Sequence, residues 1–277
     1  MPRTDIDGLS IHYEDHPGDG SPVWFMHGEP TWSFLWRKVI PPVHAAGHRC
    51  IAPDLMGFGR SDKPTRLEDY SYDRHCAVMG GLLEQLDLRD LTMVVHDWGG
   101  PVGLRVAVEH PDRVSRLVIM DTGLFTGHQK MSDAWVAFRD FVERTEDLPI
   151  SMLVRNATAR GMDDETAARY DEPFGDAASK AGARAFPLMI PLTPDDPGGA
   201  AGRRVLEALQ ADGRPVLMLW ADSDPILPLS TGRRFAEAIG HDPDAIVVVE
   251  NASHFLQEDA GEEIGQHIAR WLGEQTG

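Results

Sequence analysis

The chain has little cysteine, little positive charge and no long apolar run. Its 277 residues include two cysteines, Cys50 and Cys76, which are too few for a disulfide framework and lack the spacing of a metal site. Lysine and arginine number 26 against 44 acidic residues, and the formal charge of −18 disfavours nucleic acid and anionic membranes as partners. No stretch approaches transmembrane length, and residues 1–7 lack the apolar segment of a signal peptide. These absences predict a cytoplasmic globular protein, with a monomer as the default expectation.

Short apolar runs alternate with helical patterns along most of the chain, which is typical of a mostly parallel sheet covered by helices on both faces. The runs predicted to be strands are residues 9–14, 23–26, 48–52, 91–95, 114–120, 216–220 and 246–249. After Asp121 the alternation stops, and residues 126–194 show helical periodicity and turns instead. The sequence therefore predicts an α/β core formed by residues 1–125 and 195–277, with a helical cap, residues 126–194, inserted into it.

An acidic residue stands where a predicted buried strand turns abruptly into a helix. Asp97 follows the valine-rich run 91–95, and Gly99 and Gly100 come soon after it. In a nucleophile elbow, the catalytic side chain sits on such a strained turn among small neighbours. The usual pattern is Gly-x-Ser-x-Gly, whereas here Val95 replaces the first glycine and Asp97 replaces the serine. A second interpretation stays open, in which Asp97 only caps the following helix.

Further candidates follow other predicted strands, at the edge where open α/β sheets place their sites. The segment His27-Gly28-Glu29-Pro30 comes directly after the second predicted strand, and its glycine lets a backbone N–H approach a reacting oxygen. Asp224 lies just past the sixth predicted strand, and His254 follows the last one. Nucleophile, acid and histidine then occur in the chain order of an α/β-hydrolase triad. The sequence therefore predicts a triad of Asp97, Asp224 and His254.

Two other aspartates are rivals for the acid of this triad. Asp121 also ends a predicted strand beside the elbow, and Asp222 lies two residues before the expected place. Sequence position alone leaves both alternatives open.

Motifs along nearly the whole chain carry a resemblance to a known family. They are His27-Gly28-Glu29-Pro30 at the start of residues 27–37, Pro53-Asp54-Leu55-Met56-Gly57-Phe58-Gly59 within residues 53–64, His96-Asp97-Trp98-Gly99-Gly100, and Ser253-His254-Phe255-Leu256-Gln257-Glu258. These segments resemble those of the haloalkane dehalogenases, in particular the subfamily with Glu after the His-Gly pair and an acid late in the sequence. The match is weakest in the cap. It implies an α/β-hydrolase fold, with a mostly parallel central sheet and a helical cap over the site.

The resemblance also implies a mechanism. Asp97 attacks the carbon that bears the halogen, which gives an alkyl-enzyme ester and a halide ion. His254 then deprotonates a water that attacks the ester, while Asp224 holds the histidine ring. The backbone N–H groups of Glu29 and Trp98 would bind the oxyanion. The implied partners are a small halogenated alkane, water and the halide product, and no metal or organic cofactor is required.

A halide that leaves into an apolar pocket needs N–H donors, and an indole can only donate. Trp98 adjoins the nucleophile, and Trp135 is the one tryptophan of the predicted cap. Trp135 shares a face with Phe138 and Val142 in the helix-like segment 132–146. The family places a halide-binding tryptophan in this part of the cap, and simple core packing is the alternative. Plausible pocket walls, each of which could equally be ordinary core, are Phe125, Phe138, Phe174, Phe186, Pro187, Ile190, Ile226, Leu227 and Phe255.

Other functions remain alternatives at this point. Epoxide hydrolases resemble the chain at His-Asp-Trp-Gly-Gly but use paired cap tyrosines, whereas the predicted cap contains only Tyr170. They also usually carry an aromatic residue where Glu29 stands. A fluoroacetate dehalogenase is disfavoured, because Trp98 stands where those enzymes carry arginine. Luciferase-like relatives share the same template. A non-catalytic ligand receptor of this fold would keep the pocket and lose the chemistry, but all the required groups are present.

Overall fold

The computed structural model describes residues 2–275, which form one sheet flanked by helices. The strands are β1 (Arg3–Ile6), β2 (Leu9–His16), β3 (Gly20–Met26), β4 (His48–Pro53), β5 (Leu91–His96), β6 (Val114–Met120), β7 (Val216–Ala221) and β8 (Val247–Val249). Their order in the sheet is β1-β2-β4-β3-β5-β6-β7-β8. The β1–β2 and β2–β4 pairs are antiparallel, and the other neighbouring pairs are parallel. The predicted α/β-hydrolase sheet is confirmed.

Helices connect the strands and cover the sheet. They are α1 (Ile40–Ala45), α2 (Tyr72–Gln85), α3 (Gly99–Glu109), α4 (Asp133–Arg144), α5 (Ile150–Asn156), α6 (Asp164–Asp171), α7 (Ala181–Leu188), α8 (Gly199–Gln210), α9 (Leu229–Ala238) and α10 (Leu256–Gln275). Short 3₁₀ helices lie at Ser33–Lys38, Leu67–Asp69, Ala178–Lys180 and Pro243–Ala245. No helix within residues 2–275 is both long enough and apolar enough to cross a membrane.

All seven predicted strands are present, as β2 to β8, but the sequence interpretation missed β1. This strand is short and polar, and it lies at the edge of the sheet, so it lacks the apolar alternation of a half-buried strand. Asp7 and Gly8 join it to β2 with φ angles of 51° and 77°. Two successive positive φ angles are typical of a type I′ hairpin turn, for which Asp-Gly is a strong signal. That dipeptide could have revealed the strand.

The region between β6 and β7 is helical, and residues of α4 and α5 line the same cavity as Asp97. Its first helix, α4, begins after Ser132, whose hydroxyl accepts a hydrogen bond from the backbone N–H of Trp135. This matches the helix expected within residues 132–146. Within the region α4 packs against α7, and α5 packs against α6, whereas α8 packs against the core helix α3. The limits of the predicted cap, residues 126–194, stay a prediction.

Candidate active site

The turn between β5 and α3 holds Asp97 in a left-handed conformation. Its φ angle is 48°, which strains the backbone of a residue with a side chain. Gly99 opens α3, and a Cβ atom at Gly99 would lie 2.2 Å from the carbonyl oxygen of Met26. The turn is therefore tight on the side that faces β3. Trp98 is the N-cap of α3, and the helix has no side-chain cap hydrogen bond, so the interpretation of Asp97 as a helix cap is wrong.

Asp97, His254 and Asp224 lie together at the carboxyl edge of the sheet. The Nδ1 atom of His254 is 2.8 Å from Oδ2 of Asp224, and its Nε2 atom is 3.4 Å from Oδ2 of Asp97. The other carboxylate oxygen of Asp224 accepts hydrogen bonds from the backbone N–H groups of Ile226 and Leu227, at 2.7 and 3.0 Å. An ionised carboxylate only accepts hydrogen bonds, so Nδ1 carries a proton that it donates to Asp224.

The charges of these three groups are coupled. Burial by itself would lower the pKa of His254, but the charges of Asp224 and Asp97 and their hydrogen bonds raise that pKa well above its usual value. Burial would raise the pKa of Asp97, yet the hydrogen bond and charge of His254 bring it below its usual value. An imidazolium between two carboxylates is therefore the favoured resting state.

The carboxylate of Asp97 rests against backbone donors. The N–H of Glu29 donates to Oδ1 of Asp97 at 2.7 Å, and the N–H of Trp98 also bonds the carboxylate and helps to lower its pKa. A Cβ atom at Gly28 would lie 2.2 Å from the same Oδ1, so only glycine allows this approach. One oxygen of the carboxylate thus faces the backbone donors, while the other faces His254.

The side chain of Glu29 is buried beside this carboxylate. It is 6% exposed, and within residues 2–275 its Oε1 atom has no hydrogen-bond partner. Burial, and then the negative charge of Asp97, raise the pKa of Glu29 well above its usual value. A neutral Glu29 keeps a second negative charge away from Asp97.

The two rival acids occupy different places. Asp121 is fully buried, and its Oδ1 atom accepts a hydrogen bond from the backbone N–H of Ala221 at 3.0 Å. Burial and the charge of Asp224 raise the pKa of Asp121 well above its usual value, which favours its neutral form. Asp222 is exposed and accepts hydrogen bonds from the backbone N–H groups of Asn251 and Ala252. Only Asp224, of the three aspartates, is hydrogen-bonded to the histidine ring.

A cavity of about 960 Å³ opens above Asp97 and His254, a size that suits a small organic molecule. Trp98 and Trp135 both line it, from the elbow and from α4. No acceptor in the described part of the chain takes a hydrogen bond from either indole N–H. Both N–H groups are therefore available to a guest. The predicted wall residues that line the cavity are Phe125, Phe138, Pro187, Ile190, Ile226, Leu227 and Phe255.

Comparisons with known proteins agree with this geometry. Residues 21–261 match the profile of the alpha/beta hydrolase fold. A haloalkane dehalogenase of Mycobacterium marinum is 44% identical over 272 residues, which cover 97% of this chain and 90% of the relative. The chain belongs to the haloalkane dehalogenase family. A haloalkane dehalogenase of Psychrobacter cryohalolentis is 39% identical, with 95% of this chain and 88% of the relative covered.

Solved structures of haloalkane dehalogenases also superpose on the chain. The tetrameric haloalkane dehalogenase of Paraglaciecola agarilytica matches with a TM-score of 0.89 and 33% identity, over 96% of this chain and 91% of the other. The enzyme of Agrobacterium tumefaciens matches with a TM-score of 0.84 and 25% identity, over 99% and 96% of the two chains. The similarity to haloalkane dehalogenases therefore includes the helical region as well as the sheet.

Two of the predicted wall residues, Phe186 and Phe174, are not among the residues that line the cavity. Phe186 is fully buried and packs against Trp98 and His75, with ring centroids 4.7 and 4.6 Å away. It supports the back of the Trp98 ring. Phe174 is buried as well, and its ring lies 5.9 Å from the ammonium group of Lys63. Both assignments to the pocket wall are wrong, because α7 turns the ring of Phe186 into the core and the loop after α6 does the same with Phe174.

The sequence interpretation missed one face of α9. This helix follows the segment that contains Asp224, and it contributes a wall of the cavity. The contributing residues recur at helical spacing, at Thr231, Arg234, Phe235 and Ala238. That periodicity, placed after a candidate acid, is a signal that could have found them.

His96 was also missed, although it directly precedes Asp97. Its Nε2 atom lies 2.8 Å from the backbone carbonyl oxygen of His254. A carbonyl only accepts, so His96 carries its proton on Nε2 and donates it there. Burial lowers the pKa of His96 to about 4, which keeps the ring neutral at ordinary pH. Its position at the end of β5 was the one available signal.

Proposed function

We propose that the protein hydrolyses carbon–halogen bonds of small haloalkanes to an alcohol, a halide ion and a proton. The observation that carries the proposal is the placement of the Asp97 carboxylate at a strained elbow, 3.4 Å from a histidine that an aspartate holds. An apolar cavity with two available indole donors lies directly above it. This combination suits displacement of a halide by a carboxylate.

The first half-reaction is an in-line displacement. Asp97 is ionised because His254 keeps its pKa low, and Oδ2 is the attacking oxygen in this proposal, since Oδ1 is held by the N–H of Glu29. A bond forms between Oδ2 and the carbon while the carbon–halogen bond breaks. The halide leaves with the bonding electrons and accepts hydrogen bonds from the indoles of Trp98 and Trp135. The products of this step are an alkyl ester of Asp97 and a bound halide.

The second half-reaction follows from the change in charge. The ester is neutral, so one of the two carboxylate charges that raise the pKa of His254 is lost. The imidazolium of His254 can then release its Nε2 proton to solvent, and the neutral ring accepts a proton from a water that attacks the Cγ atom of Asp97. The negative charge then develops on Oδ1, which already faces the N–H of Glu29. On collapse, the remaining proton of the water goes to the leaving alkoxide, which departs as the alcohol, and the Asp97 carboxylate reforms beside the protonated His254.

A nucleophilic carboxylate has a distinct advantage over a serine at this elbow. Displacement of a halide by a serine hydroxyl would give an ether, which has no carbonyl carbon for water to attack. The Asp97 ester has such a carbon, and donors already face its carbonyl oxygen. Loss of one such donor typically lowers the rate by about two to three orders of magnitude.

The position of Tyr170 supports a dehalogenase over an epoxide hydrolase. Tyr170 is fully buried, and its hydroxyl donates to the carboxylate of Glu258. It is not among the residues that line the cavity. Protonation of an epoxide oxygen by a cap phenol therefore has no support in this geometry, whereas hydrogen bonding of a halide by indoles does.

Halide release from 1-bromobutane and 1,2-dibromoethane tests the proposal. We expect bromide and alcohol in equal amounts from the wild type, and about 10⁶-fold less from Asp97→Ala, because the nucleophile is removed. A single turnover in ¹⁸O-labelled water should place the label in the Asp97 carboxyl group before it appears in alcohol. The dehalogenase proposal would be refuted if the protein released no halide from a panel of bromo- and chloroalkanes and opened epoxides instead.

The cytoplasmic location and the monomeric state stay predictions. The Paraglaciecola agarilytica relative is described as tetrameric, so the assembly of this chain needs its own measurement. Light scattering on the purified protein over a range of concentrations would give the mass of the particle. A mass of one chain at every concentration is the expected result, and a concentration-independent multiple would overturn it.

A further inference from the structure

The loop that carries His254 runs from β8 to α10 and comprises residues 250–255, here named the histidine loop. The turn between α5 and α6 contributes residues 157–160, here named the cap turn. The two segments lie side by side, although about a hundred residues separate them in the chain. Hydrogen bonds made by backbone groups and by two charged side chains join the two segments. Because hydrogen bonds are directional, they fix the orientation of the histidine loop as well as its position.

Asp259, in the first turn of α10, joins the two segments. Its Oδ2 atom accepts hydrogen bonds from the backbone N–H groups of Ser253 and Ala159, both at 2.9 Å. Its Oδ1 atom accepts one from the N–H of Arg160 at 2.7 Å. The side chain is 7% exposed, so water competes little for these bonds. One carboxylate therefore bonds the residue before His254 and two residues of the cap turn.

Further hydrogen bonds tie the histidine loop to the cap turn on either side of His254. The backbone N–H of Phe255 donates to the carbonyl oxygen of Ala157 at 3.1 Å. The guanidinium of Arg160 donates to the carbonyl oxygens of Asn251 and Glu250, at 3.2 and 3.0 Å. Phe255, immediately after His254, and residues 250 and 251 before it are thus bonded directly to the cap turn.

We propose that Asp259 is a positioning residue for His254, and that the cap turn acts through it on the hydrolytic half-reaction. This inference rests on the proposed function. His254 must reach both a water and the Asp224 carboxylate, and a shift of about 1 Å in a catalytic group can cost about 100-fold in rate. Alkylation needs the ionised Asp97 and the two indoles. The backbone of the histidine loop makes no hydrogen bond to any of these three groups within residues 2–275. Loosening of the loop should therefore slow hydrolysis and spare alkylation.

Asp259→Asn tests this inference in single turnovers of 1-bromobutane, followed by rapid quenching. The burst of bromide reports alkylation, and the mass of the Asp97 peptide reports decay of the alkyl-enzyme. The amide places N–H groups where the carboxylate accepted hydrogen bonds, so we expect decay to slow by about 10- to 100-fold. The bromide burst should stay within about threefold of the wild type. The pH dependence of decay should shift as well, because the environment of His254 changes.

Asp163→Asn is the matched control. Asp163 caps α6 in the same helical region, where it accepts a hydrogen bond from the N–H of Thr166 at 2.7 Å, and it is exposed. It has no bond to the histidine loop in the described structure. This variant should leave both phases unchanged. Equal slowing of both phases in Asp259→Asn, slowing of alkylation alone, or no change in decay would each overturn the inference.

A second variant keeps the test decisive if Asp259→Asn does not fold. Arg160 is exposed, and Arg160→Ala removes only the two bonds to the histidine-loop carbonyls. We expect decay to slow by about three- to tenfold with an unchanged burst, since the loop keeps its other bonds. Unchanged decay in this variant would contradict the inference. Absence of any bromide release by the wild type would instead refute the proposed function.

Discussion

The floor and the roof of the cavity are built by different means. The floor consists of strand ends, where backbone N–H groups and neighbouring side chains fix each polar group of Asp97, His254 and Asp224. The roof is helical, and Trp135 and Phe138 of α4 line it with apolar rings. The indole N–H of Trp135 is its available hydrogen-bond donor. The chemistry therefore depends on hydrogen-bond geometry, whereas the fit of a substrate depends on packing. Changes to the floor should alter reaction steps, and changes to the roof should alter affinity.

Replacement of His254 should have the largest effect and should split the two half-reactions. In His254→Gln we expect the alkyl-enzyme to accumulate, because its hydrolysis loses a general base worth up to about 10⁴-fold. Bromide should still appear in a burst of about one equivalent per active site. His254 also lowers the pKa of Asp97 against the opposing effect of burial. Without it that pKa rises, so the burst should fall off at a higher pH than in the wild type as the solution is acidified.

Stopped-flow detection of bromide and mass spectrometry of the quenched protein give both quantities. Steady multiple turnover by His254→Gln would contradict the assignment of the base. The same pH dependence in the variant and the wild type would contradict the charge coupling between His254 and Asp97.

Asp224 and Asp121 allow a comparison within the floor itself. Asp224→Asn removes the charge that holds the His254 ring, so hydrolysis should slow by about 10³- to 10⁴-fold. The pKa of His254 should fall, because Asp224 is the main group that raises it. Asp121→Asn replaces a carboxyl group that burial already keeps neutral, and decay of the alkyl-enzyme should change by less than about threefold. Single-turnover decay rates measure both, and a reversed ranking would make Asp121 the acid.

Replacement of Trp135, in the roof of the cavity, should have the smallest of these effects. Trp135→Phe keeps an aromatic ring in α4 and removes the indole N–H, so bromide affinity should weaken by about tenfold. Quenching of tryptophan fluorescence by bromide gives the dissociation constant. Trp271→Phe is a suitable control, since Trp271 lies on α10 and is not among the residues that line the cavity. Equal bromide affinity in Trp135→Phe and the wild type would assign Trp135 to packing alone.

The contrast between a floor of strand ends and a helical roof also explains which parts of the site could be predicted from the sequence. Carboxyl ends of parallel strands share one edge of a sheet, so the strand pattern was enough to bring Asp97, Asp224 and His254 together. Their charges were not predictable, because the raised pKa of Asp121 depends on how deeply it is buried beside Asp224. A neutral Asp121 and a charged Asp224 look alike in sequence.

The roof was less predictable for a related reason. Helical periodicity placed Trp135 on an apolar face, and Phe186 was a candidate for the pocket wall, but neither inference says which surface the side chain meets. The structure turns Trp135 into the cavity and Phe186 against the back of Trp98. The contact of Asp259 with the cap turn is likewise set by the relative placement of segments about a hundred residues apart. Such placement is a property of the assembled fold.

The turns that follow β5, β6 and β8 share a backbone feature with a consequence for laboratory evolution. Asp97, Asp121 and Asn251 have φ angles of 48°, 29° and 53°, a region where residues with side chains are strained by on the order of 1 kcal/mol. Glycine at position 97 would relieve that strain and abolish the nucleophile. Selection for heat resistance alone would therefore favour chains that have lost activity, because stability and turnover make opposite demands on this turn. Variants of this protein have to be screened for both properties at once.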